Sequence, residues 1–216
     1  MVNYIWVKGG EVTKYQMNIT MEKWNDRYRI PSARATWWDY SYNGSYFITI
    51  CTKNMIRYFG EIENSKMKMT AAGAIAQGFW YEIPHHFPFT RLGEFIVMPN
   101  HIHGIIIIER KDEERLQGDP SGDEKTLPCN VSTGGGDEKE RFGAISPKSG
   151  SLSTIIRSYK SICTKTIREV LPHLDFQWQP RYWDHIIKNE KAFMNISNYI
   201  LNNPQTWEQD QFHDPR

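Results

Sequence analysis

The chain holds no long apolar run, few cysteines and almost no net charge, and each shortage removes a class of protein. No stretch approaches the ~18 consecutive apolar residues that mark a membrane span, and the first residues lack the charged-then-apolar pattern of a secretory leader. A cytoplasmic protein with no membrane partner is therefore expected. Cys51, Cys129 and Cys163 are odd in number and far apart, which argues against a disulfide framework and against a closed thiolate zinc site. A formal net charge of +1 gives no overall sign of a nucleic-acid partner. What remains is a chain of 216 residues, 39% hydrophobic and 13% aromatic, enough for one cored domain, with or without an insertion.

The small net charge hides an asymmetry. From Glu109 to Glu140 there are ten acidic and five basic residues, with two glycine-rich clusters and few large apolar side chains. This stretch, about 110–148 with its flanks, reads as a flexible acidic insertion. From Arg141 to Lys191 the balance reverses to nine basic and four acidic residues, interleaved with Tyr159, Trp178, Tyr182 and Trp183. A phosphate-binding surface has that composition, and so does an ordinary solvated face.

Residues 1–40 show no sustained period and are treated as an extended arm. Tyr46–Thr52 is rich in β-branched and aromatic residues, as strands are. Thr70 is placed to cap a helix running to about Ile83, with Ala71, Ile75, Phe79 and Trp80 on its buried side. Strands near Arg91–Val97 and His101–Glu109 follow, parted by Pro99-Asn100. The second of these is apolar on both faces and so is expected at the centre of its sheet. Leu152, Ile155, Ile156, Tyr159, Ile162, Cys163 and Ile167 recur at helical spacing over about 151–170. A fourth strand is expected within Gln177–Ile187, then a helix from the cap Asn189 to about Asn203, where Pro204 stops it. The order β-α-β-β-α-β-α implies an α+β fold: a ferredoxin-like antiparallel sheet with helices on one face, plus a C-terminal helix.

The chemistry concentrates in Pro99-Asn100-His101-Ile102-His103-Gly104. Alternate side chains of a strand share a face, so His101 and His103 point together, as two ligands of one metal ion would. Two core histidines satisfied by backbone would also fit. On the last helix, Tyr199 and Asn203 are four apart and share a face, while Phe193, Ile196 and Ile200 form its packing stripe. Brought over the histidine strand, that face would add a phenol and an amide oxygen to two imidazoles.

These residues resemble a known family. Pro99–Gly104 is similar to the HUH motif (His, large hydrophobic, His) of the single-tyrosine transposases. Trp178–Ile187, with Tyr199-Ile200-Leu201-Asn202-Asn203-Pro204, resembles their C-terminal half, and the strand Tyr46–Thr52 also fits. The branch most resembled is the REP-associated tyrosine transposases. The resemblance covers about Ser45 to Phe212, which marks 41–212 as the catalytic domain, and the acidic insertion departs from it.

The resemblance implies a bacterial, nucleoid-associated, metal-dependent single-strand DNA endonuclease and strand transferase acting on hairpin-associated DNA, as a monomer or homodimer. His101, His103 and Asn203 would hold Mg²⁺ or Mn²⁺, and Tyr199 would form a 5′-phosphotyrosine link. Imidazole ligands suit Mn²⁺ at least as well as Mg²⁺. Arg157, Lys160, Lys165, Arg181 and Lys188 are candidate phosphate contacts. Tyr159 is the rival nucleophile, though its place on an apolar stripe favours the core. His185 would contact DNA or satisfy a backbone group, and His85-His86 reads as a solvated loop pair. Two other functions stay open: a hairpin-DNA-binding protein that has lost catalysis, and a phosphoesterase that uses water as its nucleophile.

Overall fold

An isoleucine-rich strand buried on both faces organises the molecule. In the computed structural model, which describes residues 3–8, 11–16, 23–24, 27–28, 38–111, 148–210 and 212–213, that strand runs from His101 to Ile108. It pairs antiparallel with Gly44–Cys51 on one side and Thr90–Val97 on the other. Numbered along the chain, the strands are β1 (Asn3–Lys8), β2 (Glu11–Gln16), β3 (Lys23–Trp24), β4 (Arg27–Tyr28), β5 (Gly44–Cys51), β6 (Gly60–Glu63), β7 (Lys66–Met69), β8 (Thr90–Val97), β9 (His101–Ile108) and β10 (Trp183–Ile187). The helices are α1 (Ala71–Tyr81), α2 (Ile83–His86), α3 (Leu152–Val170) and α4 (Glu190–Asn202), and a 3₁₀ segment (Asn203–Gln209) continues α4.

The main sheet has the order β10-β5-β9-β8. This is the ferredoxin-like arrangement the element order implies, with β9 central as its two apolar faces require. Ile102, Ile106 and Ile108 join Tyr46, Ile48 and Ile50 on one face, beneath Ala72, Ala76 and Trp80 of α1 and Leu152, Ile155, Ile156, Cys163 and Ile167 of α3. Each such fully buried aliphatic side chain contributes about 1.5–3 kcal/mol. The opposite face carries a smaller cluster, Phe47, Ile105 and Ile187 against Ile196 and Ile200 of α4. The helices are thus divided: α1 and α3 on one face, α4 on the other.

Caps form where the sequence places them. The side chains of Thr70 and Asn189 accept from the amides of Gly73 and Ala192. Four details differ from expectation. The buried side of α1 is Ala72, Gly73, Ala76 and Trp80, while Ala71 is exposed and Ile75 and Phe79 only flank the core. The small residues let the helix approach closely, and a Cβ at Gly73 would strike the Phe59 backbone. On α3, Ile162 is 36% exposed and Cys163 takes the buried place. The fourth strand begins only at Trp183. Pro180 has no amide to donate, and the carbonyls of Gln179 and Arg181 accept from Lys160 Nζ instead. His85 and His86 lie exposed in the short helix α2 rather than in a loop.

The sequence pattern missed several hairpins. β1 pairs with β2 and β3 with β4 within the stretch treated as an arm, and β6 pairs with β7. The β6–β7 turn has positive φ at both Asn64 and Ser65, as a tight two-residue hairpin demands. Trp38 and Tyr40 pack against the main core, and Leu152 N donates to Tyr40 O. Cys51 and Cys163 are buried free thiols. Cys129 and residues 112–147 of the acidic insertion lie outside the described residues.

Candidate metal and tyrosine site

Because β9 alternates, the residues that bury Ile102 on the core face turn His101 and His103 towards α4. Their rings lie 4.5 Å apart between centroids, and both side chains are 0% exposed. Gly104 sets the depth of this strand, since a Cβ there would overlap Trp80 Cζ2 and come within 3.0 Å of Phe95 Cβ. At Gly93 the β8 ladder is irregular, and a Cβ would meet Ile105 and the Phe193 ring of α4. This bare stretch of β8 allows α4 to lie close over the sheet.

Each imidazole is oriented through its Nδ1. His101 Nδ1 lies 2.9 Å from Asn100 Oδ1. The Asn100 amide is itself fixed, because its Nδ2 donates to the carbonyls of Met55 (3.1 Å) and Phe212 (2.8 Å). An amide oxygen only accepts, so His101 carries its proton on Nδ1 and presents a bare Nε2. That Nε2 is buried and has no hydrogen-bond partner. His103 Nδ1 lies 2.8 Å from Thr49 Oγ1, and its Nε2 lies 3.3 Å from Tyr199 Oη. A histidine held by a polar group on one nitrogen and open on the other is arranged as metal ligands are.

Burial lowers the pKa of His101, helped by the adjacent His103, and pushes His103 down to about 3. Both rings are therefore neutral near pH 7, the form that donates a lone pair. The Tyr199 phenol is shifted the other way. Burial raises its pKa, the Asp210 carboxylate adds to the rise, and a side-chain hydrogen bond from Asn203 opposes it. A phenol so placed stays protonated unless a cation or base intervenes.

The structure brings His101, His103, Tyr199 and Asn203 together. Tyr199 packs its ring against His103 (5.3 Å between centroids) and edge-on to Phe47 (6.1 Å). Asn203 is wholly buried; its Nδ2 donates to Asp210 Oδ2 at 3.0 Å, and its Oδ1 has no partner. Sequence reasoning missed Asp210. Its carboxylate and the two histidines offer ligand atoms all within 4.8 Å of one another. Nothing in the polar run Glu208-Gln209-Asp210-Gln211 distinguished it.

The basic candidates are dispersed. Arg157, Lys160 and Lys165 ride on α3, across the sheet from the histidines. Lys160 is no free cation: it holds two carbonyls, at 2.6 and 3.3 Å, and burial lowers its pKa to about 8. Arg181 and Lys188 flank β10, whose Trp183, His185 and Ile187 share the histidine side of the sheet. Burial, with Lys188 nearby, lowers the His185 pKa. Trp178 and Tyr182 pack against the main core. Tyr159 is 2% exposed, and its hydroxyl donates to Ala76 O at 2.9 Å, a structural role.

No protein-family model matches the chain. A protein of Haemophilus influenzae described as uncharacterized is 36% identical over 184 residues, spanning 84% of this chain and 92% of that one. The chain belongs to that protein's family. Among solved structures, a REP-associated tyrosine transposase bound to a REP hairpin is 16% identical, with a TM-score of 0.48 over 84% of this chain and 77% of that one. A second, described as a putative transposase from Deinococcus radiodurans, is 14% identical, with a TM-score of 0.38 over 81% of this chain and 96% of that one. The fold of this family member rests on its own strand order and register. Among the described residues, no helix is long and apolar enough to cross a membrane.

Proposed function

We propose that the chain is a metal-dependent single-strand DNA endonuclease and strand transferase, with residues 41–212 as its catalytic domain and hairpin-associated DNA as its substrate. The observation that carries this function is the phenol of Tyr199 set 3.3 Å from His103 Nε2, beside the bare Nε2 of His101. The donor set fits a divalent cation: two neutral imidazoles with oriented rings, and a buried amide oxygen, Asn203 Oδ1, without a partner. His101, His103 and Asn203 would hold Mg²⁺ or Mn²⁺. When bound, the ion supplies Lewis-acid stabilisation of the scissile phosphate and favours the ionised phenol.

Tyr199 is the nucleophile. Tyr199 gives up its phenol proton to solvent, its oxygen bonds to phosphorus, the bond from phosphorus to the 3′ oxygen breaks, and that oxygen takes up a proton from solvent and leaves as a 3′-hydroxyl. The product is a 5′-phosphotyrosine, which conserves the phosphodiester for rejoining. Phe47 and His103 hold the phenol ring, and the packing of Ile196 and Ile200 holds α4 over the strand. Arg181 and Lys188 flank the edge strand β10, whose Trp183, His185 and Ile187 face the site, and they are proposed as phosphate contacts together with Arg157, Lys160 and Lys165.

The test is a denaturing gel of the full chain with labelled single-stranded hairpin oligonucleotides and Mn²⁺, Mg²⁺ or EDTA, beside Tyr199→Phe. A metal-dependent, protease-sensitive adduct absent from the variant is expected. Cleavage that survives in the variant without an adduct would assign the attack to water. DNA binding without cleavage under every metal would leave a binding protein.

A further inference from the structure

Two neutral imidazoles and an amide bring no charge to a buried site, and a dication leaving water needs an anionic partner or good oxygen donors to replace its hydration. The C-terminal segment supplies one. Asp210 follows the 3₁₀ segment that continues the tyrosine helix, and its carboxylate reaches the histidines within the 4.8 Å cluster. Its orientation is set from both sides: Oδ2 accepts from Asn203 Nδ2 at 3.0 Å, and Oδ1 accepts from Phe212 N at 2.7 Å. A carboxylate has about four lone-pair sites, so both oxygens keep capacity for a metal after these bonds. The Phe212 ring packs tilted against His101, 4.6 Å between centroids, and the Phe212 carbonyl accepts from the Asn100 that orients His101. One hydrogen-bonded circuit thus joins the carboxylate to the histidine strand.

We propose that Asp210 is a further, negatively charged ligand of this metal site, joining His101, His103 and Asn203. The inference rests on the metal-dependent function proposed above. With Asp210 bound, the dication keeps a net charge of +1 at the site, matched to one phosphate of a DNA strand. An oxygen anion also admits the hard cations that two imidazoles alone would disfavour.

The experiment titrates the full chain with Mn²⁺ alone, without DNA, by calorimetry and by loss of the free-Mn²⁺ EPR signal. The parent is expected to take up one ion, Asp210→Asn to bind it at least about 100-fold more weakly, and Asp210→Glu to recover part of the loss. Circular dichroism verifies that each variant is folded. In the unmodified chain, substoichiometric Mn²⁺ is expected to broaden the ¹³C resonance of the Asp210 carboxyl carbon ahead of other carboxyls. Asp210→Asn binding within threefold of the parent, a parent that binds no Mn²⁺, or an unbroadened Asp210 carboxyl would each overturn the assignment. Since no DNA is present, a failure of strand transfer leaves these readouts untouched and counts only against the proposed function.

Discussion

Gly104→Ala tests the packing that sets the depth of the histidine strand. The added methyl carbon would overlap Trp80 Cζ2 outright and lie 2.9 Å from Trp80 Cη2 and 3.0 Å from Phe95 Cβ, where ordinary contact begins near 3.4 Å. Trp80 cannot yield cheaply: it is 0% exposed, stacked on Phe95 at 5.4 Å and met edge-on by Tyr159 at 5.3 Å. Overpacking of this kind costs about 1–3 kcal/mol. Alanine recovers roughly 0.4–1 kcal/mol by restricting the unfolded chain, so the net loss is about 1–2 kcal/mol. With a urea dependence near 2 kcal/mol per molar, typical of domains this size, the unfolding midpoint should fall by roughly 0.5–1 M. Far-UV circular dichroism and tryptophan fluorescence should report it together. The cause is isolated by a cycle with Trp80→Leu: in that background Gly104→Ala should cost far less, a coupling above about 1 kcal/mol. An unchanged midpoint, or additive losses, would refute the account of why glycine follows the second histidine.

Other residues give further outcomes. Tyr159→Phe should cost about 0.5–1.5 kcal/mol, because the hydroxyl's buried bond to the helical carbonyl Ala76 O is lost, yet it should leave the covalent adduct intact; a lost adduct in a folded variant would reinstate Tyr159 as nucleophile. Asn100→Leu frees His101 and strips the donor from Met55 O and Phe212 O. It should weaken Mn²⁺ binding by about 10–100-fold, and unchanged affinity would show that the amide does not orient the ring. Asp39 is held at about 2, below its ordinary 3.8, by hydrogen bonds from Lys148 and Ser41. A carboxyl depressed on folding contributes stability that is complete above about pH 4 and lost as pH falls towards 2. Asp39→Asn should therefore flatten the pH dependence of Tm in that window, and parallel curves would refute the pairing.

The elements that carry the site were legible because their signals are local. Thr70 and Asn189 cap through their own side chains, and the isoleucine run declares a strand buried on both faces. Other features turned on distant groups. The buried side of α1 is rotated because Gly73 must clear the Phe59 backbone, and Lys160 is consumed by carbonyls about twenty residues away. The β6–β7 hairpin carries Asn64-Ser65 rather than a stronger turn pair, so its signal was weak.

By itself the sequence determined that His101 and His103 share a face and that Tyr199 and Asn203 share another, because strand and helix periods are properties of the backbone. It also determined the order of strands and helices that closes a ferredoxin-like sheet. Only the tertiary structure decided that α4 crosses the face opposite α1 and α3, bringing those two pairs to one point. It alone placed Asp210 beside them, separated the cations of α3 from the site and left His101 Nε2 bare. Those outcomes depend on packing, burial and hydrogen bonds between segments a hundred residues apart, which no local period encodes.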